Sequence, residues 1–340
     1  MAKKRGTSGI SRIIAIDKPV GKSSHDMVNA VRRIYDERRV GHTGTLVPLA
    51  SGVLTICVGP AARLDAYLVD HDKSYVMDIV FGCSTTTDDA EGEALETATP
   101  NQALFDTTFA EETIQSLVGK SIQVPPAYSA IKVNGTKAYE AARKGQEIVL
   151  EARPFEVYEA RLEALDVRLD DNGNKLPVWR VFMHVSKGTY MRSIARDLGR
   201  KLGCPAHCGA LRRTQVGKLD IADCVSIEEL QAHPEASVVD PLLLLGIRWA
   251  FANDYEQKIT NGALLSPRAL KLNEPIEEDI FSAICCTSSV FPSARPLEDG
   301  ELIGICVGHE LRALYEYQES KNRLKPRCVF SQGVERGTGL

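Results

Sequence analysis

The chain has 340 residues, of which 44% are hydrophobic and 25% charged, and its formal net charge is −4. This composition is typical of a globular protein, and the length favours a main domain plus a smaller one over a single core. No apolar run approaches the roughly 20 residues of a membrane-crossing helix, and no apolar segment follows the basic start of the chain. We therefore expect a cytoplasmic protein that is not secreted and has no membrane partner.

The first predicted elements lie before residue 120. Apolar residues recur at helical spacing and predict a helix over residues 24–35, with Ser23 or Ser24 near its cap. An alternation of apolar and other side chains from Tyr75 to Phe81 predicts a strand that ends at Gly82. Further on, Thr108 and Glu111 have the spacing of a capping box, which predicts a helix start there and a helix end at Gly119.

The second half of the chain continues this mixture of elements. Residues 179–185 are predicted to form a strand, and the helix after it has an apolar face that carries Tyr190, Ile194, Leu198 and Leu202. Strands and helices mix without a repeating βαβ rhythm, which favours an α+β fold with a central antiparallel sheet. The pattern of residue types changes between Ser226 and Ile247, and short apolar segments separated by turns follow. We therefore expect a domain over residues 1–240 and a small β-rich module over residues 248–335.

Cysteine usage and charge distribution bear on ligands and partners. The nine cysteines include no CxxC pair, and the group of Cys204, His207 and Cys208 matches no zinc spacing, so we expect no metal site. Residues 1–48 hold ten Lys or Arg against four Asp or Glu, and residues 187–218 hold eight against one. Two such basic runs could form a face that meets phosphates, although either run alone is more often solvated surface charge.

Four separated segments carry the most specific signal. The first is the turn DKPVGKSS over residues 17–24, and the second is the glycine-rich loop GHTGTLVPLASGVL over residues 41–54. The third joins residues 72–92 with QVPPAYSA at residues 123–130, and the fourth is SKGTYMRS at residues 186–193, followed by Leu211-Arg212-Arg213. In this order the segments resemble the TruB family of tRNA pseudouridine synthases, over residues 13–217. The resemblance implies the pseudouridine synthase fold, and the β-rich tail is similar to a PUA-like RNA-binding domain.

The family's reaction, as the resemblance implies it, converts uridine 55 in the T-arm of tRNA to pseudouridine without a metal or other cofactor. The N1 glycosidic bond breaks, the base turns, and C5 bonds to the ribose. The partner is then the tRNA T-arm stem-loop, which a monomer would bind. Catalytic positions carried over from the family are Val47, Tyr75 and Arg192, and substrate-binding positions are His42, Gly44, Tyr190, Lys18, Lys132, Arg212 and Arg213.

Each carried-over residue has a side chain suited to its role. An imidazole from His42 could fill the space that an extruded base vacates. The ring of Tyr75 could stack on that base, whereas the alternative for Tyr75 is packing in the core. Lysines and arginines would contact phosphates, although each one alone is more often a solvated charge.

The resemblance also reveals one departure, because the family has its nucleophilic aspartate where this chain has Val47. A carboxylate could attack the sugar or the base, or remove a ribose proton, and an isopropyl group can do none of these. In the family the arginine matching Arg192 pairs with that aspartate, so here Arg192 is expected to face an alkyl group. We therefore predict a chain that is inactive or severely impaired.

Several alternatives remain open at this point. Another carboxylate could substitute, and Asp72, Asp88 and Asp89 are the nearest in the motifs. The chain could instead bind or help to fold tRNA without chemistry, or modify another RNA stem-loop. Val47 itself could be a natural change, an engineered one or an error.

Overall fold

The computed structural model describes residues 8–129, 131–133, 136–142, 149–276 and 291–337. Its helices in chain order are α1 (Ser24–Tyr35), α2 (Asp65–Leu68), α3 (Thr107–Gln115), α4 (Ala138–Ala142), α5 (Met191–Lys201), α6 (Ile227–Ala232), α7 (Pro241–Leu245) and α8 (Glu256–Thr260). A bilayer-spanning helix would need a longer and more apolar stretch than any helix in these ranges provides.

The strands of the described residues also follow in chain order. They are β1 (Arg12–Lys18), β2 (Val40–His42), β3 (Ala50–Val58), β4 (Lys73–Phe81), β5 (Cys83–Thr85), β6 (Ala94–Thr97), β7 (Gly119–Gln123), β8 (Lys132–Val133) and β9 (Thr136–Lys137) in the first half of the chain. The second half contains β10 (Arg153–Leu169), β11 (Lys175–Val185), β12 (Ala206–Val216), β13 (Leu219–Asp220), β14 (Val238–Val239), β15 (Trp249–Phe251), β16 (Leu302–Val307), β17 (Glu310–Gln318) and β18 (Arg323–Glu335).

The chain divides into two compact units that are discontinuous in sequence. Unit 1 contains residues 1–47, 52–70 and 217–340, and unit 2 contains residues 48–51 and 71–216. In unit 1, β1 pairs antiparallel with β3 on one side and with β14 on the other, while β2 pairs with β3. A separate sheet in the order β15-β16-β17-β18 has its own apolar core, which includes Ile303, Ile305 and Tyr315.

Unit 2 is built on an antiparallel sheet in the order β12-β4-β11-β10-β7. Helix α5 packs on β12 and β4, and α3 packs on β10. Trp179 of β11 is fully buried, lies 4.6 Å from the Phe81 ring centroid, and donates its indole N–H to the Leu104 carbonyl at 2.9 Å. Trp179 also contacts Phe109 of α3, so burial of this large aromatic surface contributes to the packing of α3 on the sheet.

Several sequence predictions are confirmed at the level of single elements. Helix α1 spans residues 24–35, and Ser23 forms its N-terminal capping box with Asp26. Strand β4 ends at Phe81, and β11 includes the predicted strand residues 179–185. The antiparallel sheets packed with helices, together with the separate C-terminal sheet, confirm the α+β class.

One capping prediction is wrong. Helix α3 begins at Thr107, and its cap is Asp106, whose carboxylate accepts a hydrogen bond from the Phe109 amide at 2.8 Å. An aspartate is as good an N-cap as a threonine, so the cap lies two residues before Thr108 and the helix begins one residue before it. The helix ends at Gln115, and Gly119, whose φ is +114°, begins β7 instead of closing the helix.

Candidate active site

The glycine-rich loop of unit 1 is anchored to the start of helix α1. The Ser24 hydroxyl accepts a hydrogen bond from the Leu46 amide at 2.8 Å and donates one to the Leu46 carbonyl at 3.1 Å. The Thr43 amide donates to the Thr55 carbonyl of β3 at 3.1 Å. These bonds fix the backbone on the N-terminal side of Val47, which is half-buried. A well-held backbone is what a catalytic side chain at this position would require.

His42 and Gly44 lie in the same loop, and both are half-buried. His42 is the last residue of β2 and pairs with Ile56 of β3. Burial raises the pKa of Asp65, and the charge of His42 opposes that rise. The imidazole therefore lies within electrostatic reach of a carboxyl group in unit 1.

Lys18 is not the surface lysine that its charge suggested. It is the last residue of β1, its relative exposure is 0%, and its ammonium donates hydrogen bonds to the carbonyls of Pro19 at 2.8 Å and Lys22 at 2.5 Å. The side chain thus fastens the turn that leads into α1. Because a buried ammonium must be hydrogen-bonded, these contacts hold it inside the turn. Its predicted contact with phosphate stays a prediction.

Arg192 lies in the first turn of α5 in unit 2, and it has an acidic partner although position 47 carries no aspartate. Its guanidinium donates to the Asp89 carboxylate at 3.0 Å, to the Thr87 carbonyl at 3.0 Å and to the Tyr128 carbonyl at 2.8 Å. The side chains of Arg192 and Asp89 are 8% and 3% exposed. The valine at position 47 therefore does not leave this buried guanidinium without a counter-charge.

Asp89 is held on both of its oxygens. One oxygen accepts the Thr87 hydroxyl at 2.5 Å and the Glu91 amide at 3.1 Å, and the other accepts from Arg192. An ionised carboxylate has about four acceptor sites, so these contacts leave it close to saturation. The loop is tight as well, since a Cβ on Gly92 would lie 2.5 Å from the Thr87 hydroxyl oxygen. The result is a rigid buried ion pair within unit 2.

The other candidates of unit 2 are distributed over β4, β12 and the start of α5. Tyr75 of β4 is 7% exposed and has Met183 and Arg213 as its two Cα partners in neighbouring strands. Tyr190 immediately precedes α5, its amide donates to the Gln123 side chain at 3.2 Å, and burial raises the pKa of its phenol. The sheet and helix thus bring Tyr75 and Arg213 together, while Tyr190 and Arg192 share the start of α5.

The remaining basic candidates differ in their exposure. Arg212 is half-buried and donates to the Ser51 hydroxyl at 3.3 Å, whereas Arg213 is only 2% exposed. Lys132 is in β8, and its side chain lies outside the described residues. Within the described ranges, no cluster of three or more His, Cys, Asp or Glu side chains has an arrangement that could hold a metal ion.

A second ion pair beside the first was missed by the sequence analysis. Arg196, four residues after Arg192, donates to the Asp88 carboxylate at 2.9 Å. The available signal was the pair of adjacent acids at residues 88 and 89 together with two arginines spaced by one helical turn. Sequence alone could not join them, because Arg196 and Asp88 are 108 residues apart along the chain.

Comparison with protein families gives two matches in this chain. Residues 32–191 match the N-terminal domain of the TruB family of pseudouridylate synthases, and residues 192–244 match the C-terminal domain of tRNA pseudouridylate synthase B. A relative named tRNA pseudouridine synthase B from Bacillus subtilis is 39% identical over 263 residues, which cover 75% of this chain and 84% of the relative. One of the same name from Nitrosococcus oceani is 42% identical over 240 residues, covering 70% and 74%.

Two solved structures share the fold at low identity. A chain in the structure of an H/ACA ribonucleoprotein bound to a substrate RNA containing 2′-deoxyuridine superposes with a TM-score of 0.61 at 18% identity, covering 95% of this chain and 85% of that chain. A chain of a Cbf5–Nop10–Gar1 complex gives a TM-score of 0.53 at 19% identity, covering 95% and 84%. These matches confirm the predicted pseudouridine synthase fold. Taken with the family matches and the identity to the bacterial relatives, they show that the chain belongs to the TruB family of tRNA pseudouridine synthases.

Proposed function

We propose that this chain binds the T-arm stem-loop of tRNA and converts a uridine in it to pseudouridine. The observation that carries the proposal is the 39% identity to a tRNA pseudouridine synthase B across 75% of this chain. The ordered loop before Val47 and the Arg192–Asp89 pair support it, because both are rigid, preorganised parts of the kind that catalysis requires.

Chemistry in the Val47 protein needs a carboxylate from another position, and the structure distinguishes among the three candidates. Asp72 lies 3.5 Å from the Tyr158 hydroxyl, and Asp88 pairs with Arg196. Only Asp89 among them is hydrogen-bonded to Arg192. Arg192 is the catalytic arginine that the family resemblance implies, so Asp89 is the acid that we propose for any turnover by this chain. Because Asp89 is nearly saturated with donors, we expect that turnover to be slow.

A second candidate function is RNA binding without chemistry, and Val47 is the observation that favours it. An alkyl side chain at the nucleophile's position removes the group that would attack or abstract a proton. The loop and both basic runs persist regardless of that residue, so binding and opening of a T-arm hairpin could proceed without turnover. Both candidate functions involve binding of the same RNA, and they differ only in whether the uridine is isomerised.

We also propose that residues 1–240 form the catalytic domain and residues 248–335 a PUA-like RNA-binding module. The four-stranded sheet with its own apolar core supports a separate module in the tail. Strand β18 and the turn before it carry a row of cations, Lys321, Arg323, Lys325 and Arg327. The Nε atom of Arg327 lies 3.3 Å from a carboxylate oxygen of Glu316, whereas the other three cations of this row could contact phosphates.

The test uses a T-arm hairpin with tritium at C5 of its target uridine. Binding of the hairpin should exceed binding of an unstructured RNA of equal length, and it should weaken as salt rises because phosphate contacts release counterions. Tritium release by the Val47 protein, abolished by Asp89→Asn and retained by a change at an exposed acid of the same unit, Asp171→Asn, would support the first candidate. Tight hairpin binding without release would support the second. Equal affinity for both RNAs would contradict both.

A further inference from the structure

Helix α5 carries a second arginine whose contacts parallel those of Arg192. The Arg196 side chain is 11% exposed and donates to the Asp88 carboxylate at 2.9 Å and to the Val124 carbonyl at 2.8 Å. Its Nε also donates to Asp197 at 2.9 Å. Arg192 and Arg196 lie one turn apart on the same face of the helix. Two consecutive acids, Asp88 and Asp89, are therefore ion-paired with two consecutive turns of α5.

Asp88 is held in a backbone conformation that depends on its surroundings. Its φ is +59°, a left-handed value that costs energy for any residue other than glycine and that aspartate and asparagine tolerate best. The Asp88 carbonyl accepts a hydrogen bond from the Cys208 amide at 3.0 Å. Burial raises the pKa of the Asp88 carboxyl, and the charge of Arg196 acts against that rise. The ion pair therefore opposes the effect of burial on Asp88 and holds the residue before Asp89 in place.

The same helix face also holds the segment over residues 123–128. The Val124 carbonyl accepts hydrogen bonds from the Ser193 hydroxyl at 2.9 Å and from Arg196, and the Tyr128 carbonyl accepts one from Arg192. Arg196 is thus bonded to both the acidic loop and this segment. If its side chain were shortened, both chain segments would lose an anchor on α5 at once.

We propose that Arg196 and Asp88 are positioning residues for uridine isomerisation. The pair sets the geometry of the adjacent Asp89–Arg192 pair and of the segment at residues 124–128, without touching the substrate. This inference rests on the proposed function, in which Arg192 belongs to the reacting site. A displacement of about 1 Å at a reacting group can cost roughly a hundredfold in rate, so a loosened anchor should lower the rate of the chemical step far more than substrate affinity.

The experiment compares Arg196→Met and Asp88→Asn with a matched control, Arg200→Met. Asparagine tolerates the left-handed backbone of Asp88, and methionine keeps most of the length of the arginine stem. Arg200 lies one turn further along α5, its side chain is 72% exposed, and its nearest acid, Asp197, is 3.6 Å away. Asp88, Arg196 and Arg200 all border the same open cavity, so none of the three substitutions adds an atom to a closed core.

The first readout requires no RNA. The Glu91 amide donates to the Asp89 carboxylate, so its hydrogen exchange reports how firmly Asp89 is held. We expect faster exchange at Glu91 in both test variants and unchanged exchange in Arg200→Met. Unchanged exchange in the test variants would overturn the proposal.

The second readout is the single-turnover rate at saturating T-arm hairpin, measured in the Val47 protein or, if that form is silent, with Val47→Asp in every variant. The test variants should lose about 10- to 100-fold in rate with less than about a threefold change in KM, and Arg196→Lys should recover part of the rate by keeping the charge. Rates equal to those of Arg200→Met would overturn the positioning role. If no form turns over, the proposed function fails, and the exchange result alone decides whether the pair holds Asp89.

Discussion

Replacing Asp89 with asparagine should destabilise unit 2 strongly. The change keeps the size of the side chain but removes the charge that faces the Arg192 guanidinium, and both side chains are less than 10% exposed. Removing one partner of a buried ion pair commonly costs about 3–5 kcal/mol. Arg192 would keep its two carbonyl acceptors, Thr87 and Tyr128, so we expect the lower end of that range, about 3 kcal/mol.

The two tryptophans permit this loss to be assigned to one unit. Trp179 lies in unit 2 and Trp249 in unit 1, so a Trp249→Phe background leaves Trp179 as the only indole fluorophore. Urea titration of Asp89→Asn in this background should shift the midpoint well below that of its parent. Asp171→Asn is the control, because Asp171 lies exposed in the turn between β10 and β11, where removal of a surface charge should cost less than about 1 kcal/mol. A loss below about 1 kcal/mol for Asp89→Asn would refute the reasoning about a buried, uncompensated guanidinium.

Three further predictions concern other parts of the molecule. Ser24→Ala removes both bonds to Leu46, so hydrogen exchange at the Leu46 amide should accelerate and stability should fall by about 1–3 kcal/mol; exchange as slow as in the parent would contradict the anchoring role. Tyr75→Leu should reduce the fluorescence change of a base analogue at the target position if the ring stacks on the extruded base, and an identical signal at equal RNA affinity would leave Tyr75 as core only. Burial tends to raise the pKa of Glu301, but the hydrogen bonds and charge of Arg248 outweigh it and lower that pKa. The ion pair therefore contributes its whole stabilisation at pH values above the ordinary carboxyl range, and this contribution is lost as the pH falls through the lowered pKa. Glu301→Gln should therefore flatten the acid side of the stability profile followed by Trp249 fluorescence, and an unchanged profile would count against the pair.

Sequence pattern predicted secondary structure correctly where the residues within one element determine that structure. The cap at Ser23 and the strand over residues 75–81 follow from spacing and side-chain chemistry within a few residues. The start of α3 shows the limit of such patterns, because Asp106 and Thr108 are both good caps and spacing alone does not choose between them. Which of two adequate caps is used depends on how the helix packs.

Long-range pairing was beyond the sequence. The partner of Arg192 is Asp89, 103 residues away along the chain, and only the packing of α5 against the acidic loop brings the two together. Lys18 was similarly misjudged, because charge suggested exposure, whereas the carbonyls of the following turn satisfy its ammonium inside the fold. For Lys18 the deciding contacts are backbone carbonyls, which carry no sequence signature, and for Arg192 the deciding contact is a carboxylate far away along the chain.

The most direct test of the central claim is the rate of tritium release by Val47→Asp on a T-arm hairpin, measured beside the Val47 protein and Val47→Asn. If position 47 is the nucleophile's place, the new carboxylate should raise the rate by several orders of magnitude, and the asparagine variant, which matches it in size, should not. Hairpin affinity should be similar in all three proteins, since the loop that carries position 47 is held through Ser24 and Leu46. No gain in rate for Val47→Asp at unchanged hairpin affinity would contradict the claim that position 47 is the nucleophile's place.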